Sequence, residues 1–260
     1  MTSYHGGKKR IGKQIANVIV SVSDIIIENS DFKLKGYCEP FCGMLGVYEH
    51  IPELLDNMNK ENRKVYKDSG VKTLKYKAGD QNKSIIMMWK AAQKGWKPPK
   101  KSTLKQFNEL KDAKASALRG FVGHQYSFGG QFFQGFRGKY NNKASYPKAA
   151  ENVSKIGKKL KKVSFSSGSY DRFSGLEGYI IYCDPPYSSG DNRYFSDERK
   201  KLKFDNKKFW QWCKIMSENN IVFVSEYTAP KGTMTVYKSK HKLTGKTPLS
   251  RKREEKLFVL

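Results

Sequence analysis

Acidic residues, histidines and cysteines are all in short supply in this chain, and long apolar runs are missing altogether. The 24 Asp and Glu face 50 Lys and Arg, which leaves a formal net charge of +26 over 260 residues. So large an excess points to a polyanionic partner, although a lysine-rich proteome produces the same bias. The four cysteines, Cys38, Cys42, Cys183 and Cys213, lie in or beside apolar stretches, and no histidine stands near them in a zinc-like spacing. That argues against a metal centre or a disulfide framework, and for buried thiols in a reducing compartment. No apolar run approaches the roughly 20 residues of a membrane span, and the residues from Met1 to Gly7 lack the apolar core of a signal peptide. The expectation is an intracellular, cytoplasmic protein with no membrane partner, long enough for one core with an inserted lobe.

What the chain does have is Asp184-Pro185-Pro186-Tyr187, directly after the apolar run Tyr179-Ile180-Ile181-Tyr182-Cys183. A short β-branched and aromatic run that ends at prolines reads as a buried strand that stops abruptly. The prolines fix an extended backbone beyond it. Open α/β sheets bind ligands at such strand ends. The tetrapeptide offers a carboxylate, carbonyls and an aromatic face, which together suit a planar ring bearing an exocyclic amine. The alternative is a turn that merely ends a strand, with Asp184 solvated.

Around this motif the sequence alternates helix and strand patterns. Apolar positions from Ile11 to Ile26 recur with a helical period, so a helix is expected over Arg10–Glu28. The loop Gly6-Gly7-Lys8 before it allows close approach of a ligand to backbone N–H groups. A strand over Lys33–Phe41 breaks at Pro40 and enters the loop Cys42–Gly46, followed by a brief helix from Val47 to Leu55. A second strand, Leu74–Asp80, leads into a helix over Lys83–Ala92. Asp80 at that junction is either a helix cap or an acid that holds both hydroxyls of a ribose.

From Gly95 to about Lys162 strand-like runs vanish, and glycine, aromatic and basic residues interleave. Aromatic faces for stacking and cations for phosphates are what binders of single strands and extruded bases need. Aromatics packed inward in a tight loop are the competing reading. A helix-like stretch, Tyr146–Lys162, ends in the cluster Lys158-Lys159-Leu160-Lys161-Lys162. The α/β pattern then resumes with strands at Val163–Ser166, Tyr179–Cys183 and Asn220–Tyr227, and a helix from Phe204 to Met216. A final pair, Thr233–Tyr237 and Glu255–Leu260, suits an antiparallel edge of an otherwise parallel sheet.

The ordered set Tyr4-His5-Gly6-Gly7-Lys8, Glu39-Pro40-Phe41-Cys42-Gly43, Gly79-Asp80-Gln81-Asn82, Gly168-Ser169-Tyr170 and Asp184-Pro185-Pro186-Tyr187 resembles the Dam-type DNA adenine-N6 methyltransferases of the α group, in particular phage and large-virus members. The likeness runs over nearly the whole chain. It implies an α/β, Rossmann-like S-adenosylmethionine-dependent methyltransferase sheet. Residues 1–94 would form the cofactor half, 95–162 an inserted target-recognition domain, and 163–260 the half that carries the catalytic motif. It implies cofactor contacts from Tyr4, Gly7, Lys8, Glu39, Pro40, Phe41, Gly43, Asp80, Ser169 and Tyr170, and catalysis by Asp184, Pro185, Pro186 and Tyr187. The interleaved region supplies Arg119, Tyr126, Arg137, Lys139, Lys158 and Lys159 as candidate DNA contacts. The chain departs from the family pattern at Met44 and Leu45, where small residues are usual, at Ser169 in place of an acid, and at Tyr4 in place of tryptophan.

The implied reaction methylates an adenine extruded from double-stranded DNA, without a metal. Host-cell cytoplasm would be the setting of a viral member, a cognate restriction endonuclease is a possible partner, and a monomer and a homodimer both fit. The rivals are methylation of an RNA base, of a protein glutamine or of cytosine N4, and an inactive nucleic-acid-binding homologue. Retention of both Asp184 and Tyr187 speaks against the last.

Overall fold

The computed structural model describes residues 4–61, 73–137, 146–187, 204–239 and 254–260. Of the anticipated site residues, Lys139 lies outside them, as does most of the loop Lys238–Arg253.

Seven strands build one sheet in the order β3-β2-β1-β4-β5-β7-β6. They are β1 (Gly36–Glu39), β2 (Lys75–Asp80), β3 (Val163–Ser167), β4 (Tyr179–Cys183), β5 (Ile221–Glu226), β6 (Met234–Lys238) and β7 (Lys256–Val259). Every residue of β1, β4 and β5 is buried, as expected for central strands of a sheet covered on both faces. β1 to β5 run parallel, whereas β7 pairs antiparallel with both β5 and β6. The anticipated antiparallel edge is therefore present. The chain moves outward from β1 to β2 and β3, then returns to lay β4 on the other side of β1. That reversal opens a crevice beyond the carboxyl ends of β1 and β4, the usual ligand position in such sheets.

The helices are α1 (Gly12–Glu28), α2 (Ile51–Glu61), α3 (Lys83–Gln93), α4 (Leu104–Asp112), α5 (Ala117–Gln125), α6 (Tyr146–Lys159) and α7 (Asn206–Met216). On one face of the sheet α7 lays Phe209, Trp212, Cys213 and Met216 against Ile181, Val222 and Val224. On the other face α1, α2 and α3 join a larger core. Side-chain caps explain several helix starts: Asn82 accepts from the Ile85 N–H, Thr103 from Gln106, Ser116 from Arg119 and Asp205 from Lys208.

The segment anticipated as an inserted recognition domain shares that larger core. Phe107, Phe121, Val122, Tyr126, Phe132, Phe133 and Val153 belong to the same cluster as Ile85 and Trp89 of α3. Gly120 permits this, because a Cβ there would sit 2.2 Å from the Ser84 carbonyl oxygen. Among the described residues, α4, α5 and α6 thus form an outer layer on the sheet's own helices.

Candidate active site

Parallel strands deliver their final residues to one edge of the sheet, so Glu39 from β1, Asp80 from β2 and Asp184 after β4 converge there. All three line one cavity of about 320 Å³, together with Tyr4, Lys8, Phe41, Gly43 and Tyr170. That size falls within the range of about 300–1,000 Å³ typical of small-molecule sites.

Asp80 is buried, and both its oxygens are engaged by backbone. Oδ2 accepts from the Gly43 N–H at 3.0 Å and Oδ1 from the Asn82 N–H at 2.8 Å. Burial pushes its carboxyl up to about 6, while these two hydrogen bonds pull it down. The cap of α3 is Asn82, not Asp80, so the helix-cap reading of Asp80 gives way to a brace between two strand ends. Glu39 accepts from the Tyr37 hydroxyl at 2.7 Å. Burial raises its carboxyl well above the ordinary range, the tyrosine opposes that, and Asp184 adds to it.

The loop after β1 turns tightly. Gly43 has φ +42° and Leu45, unusually for a branched residue, φ +56°. Leu45 tolerates this because its side chain is fully buried and its N–H donates to the Cys42 carbonyl at 2.7 Å. The loop is further held by Trp89, whose Nε1–H donates to the Gly43 carbonyl at 2.8 Å. A Cβ on Gly43 would meet the Tyr4 ring at 2.7 Å, so glycine is needed where the N-terminal loop crosses. The larger residues Met44 and Leu45 therefore face the core and leave the turn intact.

Phe41 stacks on Tyr170 with ring centroids 5.6 Å apart, and Phe204 and Phe209 contact both rings. Inserting a planar ring between Phe41 and Tyr170 would need roughly 7 Å, two van der Waals contacts. The pair therefore forms one side of an aromatic wall, not a sandwich. Ser169 and Gly168 lie beside it on the cavity surface.

The catalytic candidates sit across the cavity. Lys8, itself buried, places Nζ 2.7 Å from Asp184 Oδ1, 3.5 Å from Glu255 Oε1 and 3.0 Å from the Gly6 carbonyl oxygen. The same ammonium lies 4.9 Å from the centre of the Tyr187 ring, which packs T-shaped with Tyr227, ring centres 4.8 Å apart. Burial pushes the Asp184 carboxyl up to about 6, Lys8 opposes this and Glu255 reinforces it. Lys8, anticipated as a cofactor contact, is thus tied to the candidate catalytic acid. Pro186 lines the cavity and Pro185 is buried behind it.

The anticipated DNA contacts divide sharply. Lys158 and Lys159 are exposed at the end of α6, and Arg137 is half-buried. Arg119 and Tyr126 do not fit a DNA surface, being only 3% and 1% exposed. The Arg119 guanidinium donates to the Leu110 and Lys111 carbonyls and to Ser84 Oγ, and lies over the rings of Phe132 and Phe133. Tyr126 packs on Phe121 and Phe136. For these residues the inward-packing reading holds. Several cavity residues went unanticipated, among them His124, whose Nδ1 contacts the Gly130 carbonyl oxygen at 2.8 Å, and Phe132 beside it.

Residues 120–249, half of the chain, match the model of the D12 class N6 adenine-specific DNA methyltransferases. The chain belongs to that family. Among solved structures it is similar to the crystal structure of SMU.472, a proposed methyltransferase complexed with SAH. The match has a TM-score of 0.31 and 11% identity, and covers 94% of this chain and 53% of that one. The chain therefore spans about half the length of that protein. No curated protein matches it.

Proposed function

We propose that the protein transfers a methyl group from S-adenosylmethionine to N6 of an adenine extruded from double-stranded DNA. The observation that carries this reading is the placement of Asp184, at the end of β4, on the same cavity as Glu39, Asp80 and the Phe41–Tyr170 wall.

The cavity fits the cofactor chemically. The carboxylates of Glu39 and Asp80 suit hydroxyl and ammonium groups, and the Phe41–Tyr170 wall suits a purine. Bound there, the cofactor supplies an electrophilic methyl group. The protein's share is then positioning and electrostatics, because methyl transfer from a sulfonium is an in-line displacement.

The adenine amine is a poor nucleophile while its lone pair is delocalised into the ring. Hydrogen bonds accepted from its two N–H groups, by Asp184 and the Pro185 carbonyl, localise that pair and aim it at the methyl group. Lys8 occupies Asp184 Oδ1, so the carboxylate's other oxygen is the one to turn toward the amine. Asp184 must be ionised for this, and the ammonium beside it favours that form. Extrusion costs a few kcal/mol of stacking and pairing, which the Tyr187 ring partly restores. The exposed lysines at the end of α6 supply phosphate contacts that carry no sequence information.

Incubation with S-adenosylmethionine and unmethylated duplex DNA, followed by digestion to nucleosides, should yield N6-methyladenine. N4-methylcytosine, or methylation confined to RNA, would overturn the reading.

A further inference from the structure

At the catalytic edge Lys8, from the N-terminal loop, is held between two carboxylates, Asp184 after β4 and Glu255 before β7. The proposed methyl transfer accounts for Asp184 but not for Glu255. Glu255 stands immediately before β7, and its Oε1 lies 3.5 Å from Lys8 Nζ with no hydrogen bond of its own. Among the described residues Lys8 Nζ donates to the Gly6 carbonyl at 3.0 Å, pairs with Asp184 Oδ1 at 2.7 Å and lies in ion-pair reach of Glu255 Oε1 at 3.5 Å. An ammonium with only one of these could rotate about its flexible stem. The second carboxylate restrains it electrostatically, and through it the placement of Asp184.

We propose that Glu255 is a positioning residue for methyl transfer, holding the Lys8 ammonium so that Asp184 presents its remaining oxygen to the adenine amine. This role rests on the adenine-methylating reaction proposed above.

A charge argument points the same way. The methyl donor is a sulfonium cation, and the amine gains positive charge as the new bond forms. Lys8 and Asp184 cancel one another, so they leave that charge unopposed. Glu255 makes the trio net negative in a partly buried site, where an uncompensated charge is costly. The groups that face Asp184 are Lys8 from the N-terminal loop, Glu255 before β7, Glu39 from β1, Tyr182 from β4 and its own neighbour Tyr187. Among the described carboxylates, Glu255 and Asp184 are in ion-pair reach of Lys8.

The test compares wild type with Glu255→Gln, which keeps the shape and removes the charge, and Glu255→Asp, which keeps the charge and shortens the reach. Methyl transfer into unmethylated duplex DNA is followed as kcat and KM across pH. Glu255→Gln should lower kcat about tenfold with KM for DNA changed by less than about twofold. Its acid limb should move to lower pH, because a negative charge that raised the Asp184 carboxyl is gone. Glu255→Asp should keep the wild-type acid limb at an intermediate kcat. A Glu255→Gln profile that superimposes on wild type in rate and pH overturns the proposal.

The titration of the Asp184 carboxyl carbon, followed by NMR without substrate, separates this proposal from the reaction it rests on. A downward shift in Glu255→Gln supports the electrostatic coupling of Glu255 to Asp184 even if wild type proves inactive on DNA. An unmoved titration overturns the coupling even if wild type methylates adenine.

Discussion

The Asp80 carboxylate accepts the Gly43 N–H at 3.0 Å, so the loop after β1 is hung from the end of β2. With the second oxygen on the Asn82 N–H, one side chain sets both the cofactor loop and the start of α3. A carboxylate so engaged keeps lone pairs for a ligand hydroxyl, because each oxygen accepts more than one hydrogen bond. Bracing and ribose binding are therefore compatible in one residue.

We predict that Asp80→Ala weakens S-adenosylmethionine binding and also lowers the melting temperature. Each N–H left unpaired in a buried setting costs about 1–3 kcal/mol. Calorimetry with the cofactor and a thermal melt measure the two effects separately. A variant that melts like wild type would deny the brace, and one with unaltered affinity would deny the ribose contact.

The Asp80 carboxyl also predicts a pH trend in stability. Its folded value, about 6, lies above its ordinary value of 3.8. Between those values the folded state binds more protons than the unfolded state, so this group's contribution is fully present at low pH and is lost as pH rises through about 6. Asp80→Asn should flatten that part of the curve, at the cost of one backbone acceptor. Urea midpoints for both proteins from pH 4 to pH 7 provide the check. Parallel curves would show that Asp80 does not titrate in that window.

How the sequence signals its fold differs from element to element. β4 and β5 are continuous apolar runs, and burial on both faces is what such runs mean. α4 and α5 were not anticipated, and α5 spends two positions on glycines, Gly120 and Gly123, that let it approach Ser84 and the Phe132–Phe133 rings. Those glycines blur the helical period. Thr103 and Ser116, which cap the two helices, were the available signals. Arg119 was misjudged because an arginine among aromatics reads the same from sequence whether its rings face a nucleobase or one another. Only packing separates those cases. Glu255 carried no local signal at all, since its partner Lys8 is at the other end of the chain.

Asp184→Ala should abolish methyl transfer while leaving cofactor affinity largely intact. In the proposed reaction the carboxylate faces the amine, and Glu39, Phe41 and Asp80 hold the cofactor. The variant also strands the Lys8 ammonium beside Glu255, so a modest loss of stability accompanies it. Single-turnover assays alongside cofactor titration resolve the two steps. Retention of more than about a tenth of the wild-type rate, a loss below roughly 1.4 kcal/mol, would remove Asp184 from the chemistry.

DNA affinity should come from the exposed lysines of the outer layer and not from Arg119. Lys158, Lys159, Lys161 and Lys162 lie exposed at and just beyond the end of α6, whereas Arg119 spends its donors on Leu110, Lys111 and Ser84. Each phosphate contact adds about −0.9 to the slope of log affinity against log salt for duplex DNA. Replacing the four lysines by Gln should therefore flatten that slope and weaken binding on all sequences alike, with the melting temperature unchanged. Arg119→Ala should do the reverse. It removes the guanidinium hydrogen bonds to Leu110, Lys111 and Ser84 and takes the cation from two rings, so the melting temperature falls while the salt slope of the remaining folded protein stays put. An unchanged slope in the lysine variant would move the phosphate path elsewhere, with the basic loop Lys238–Arg253 as the next segment to neutralise.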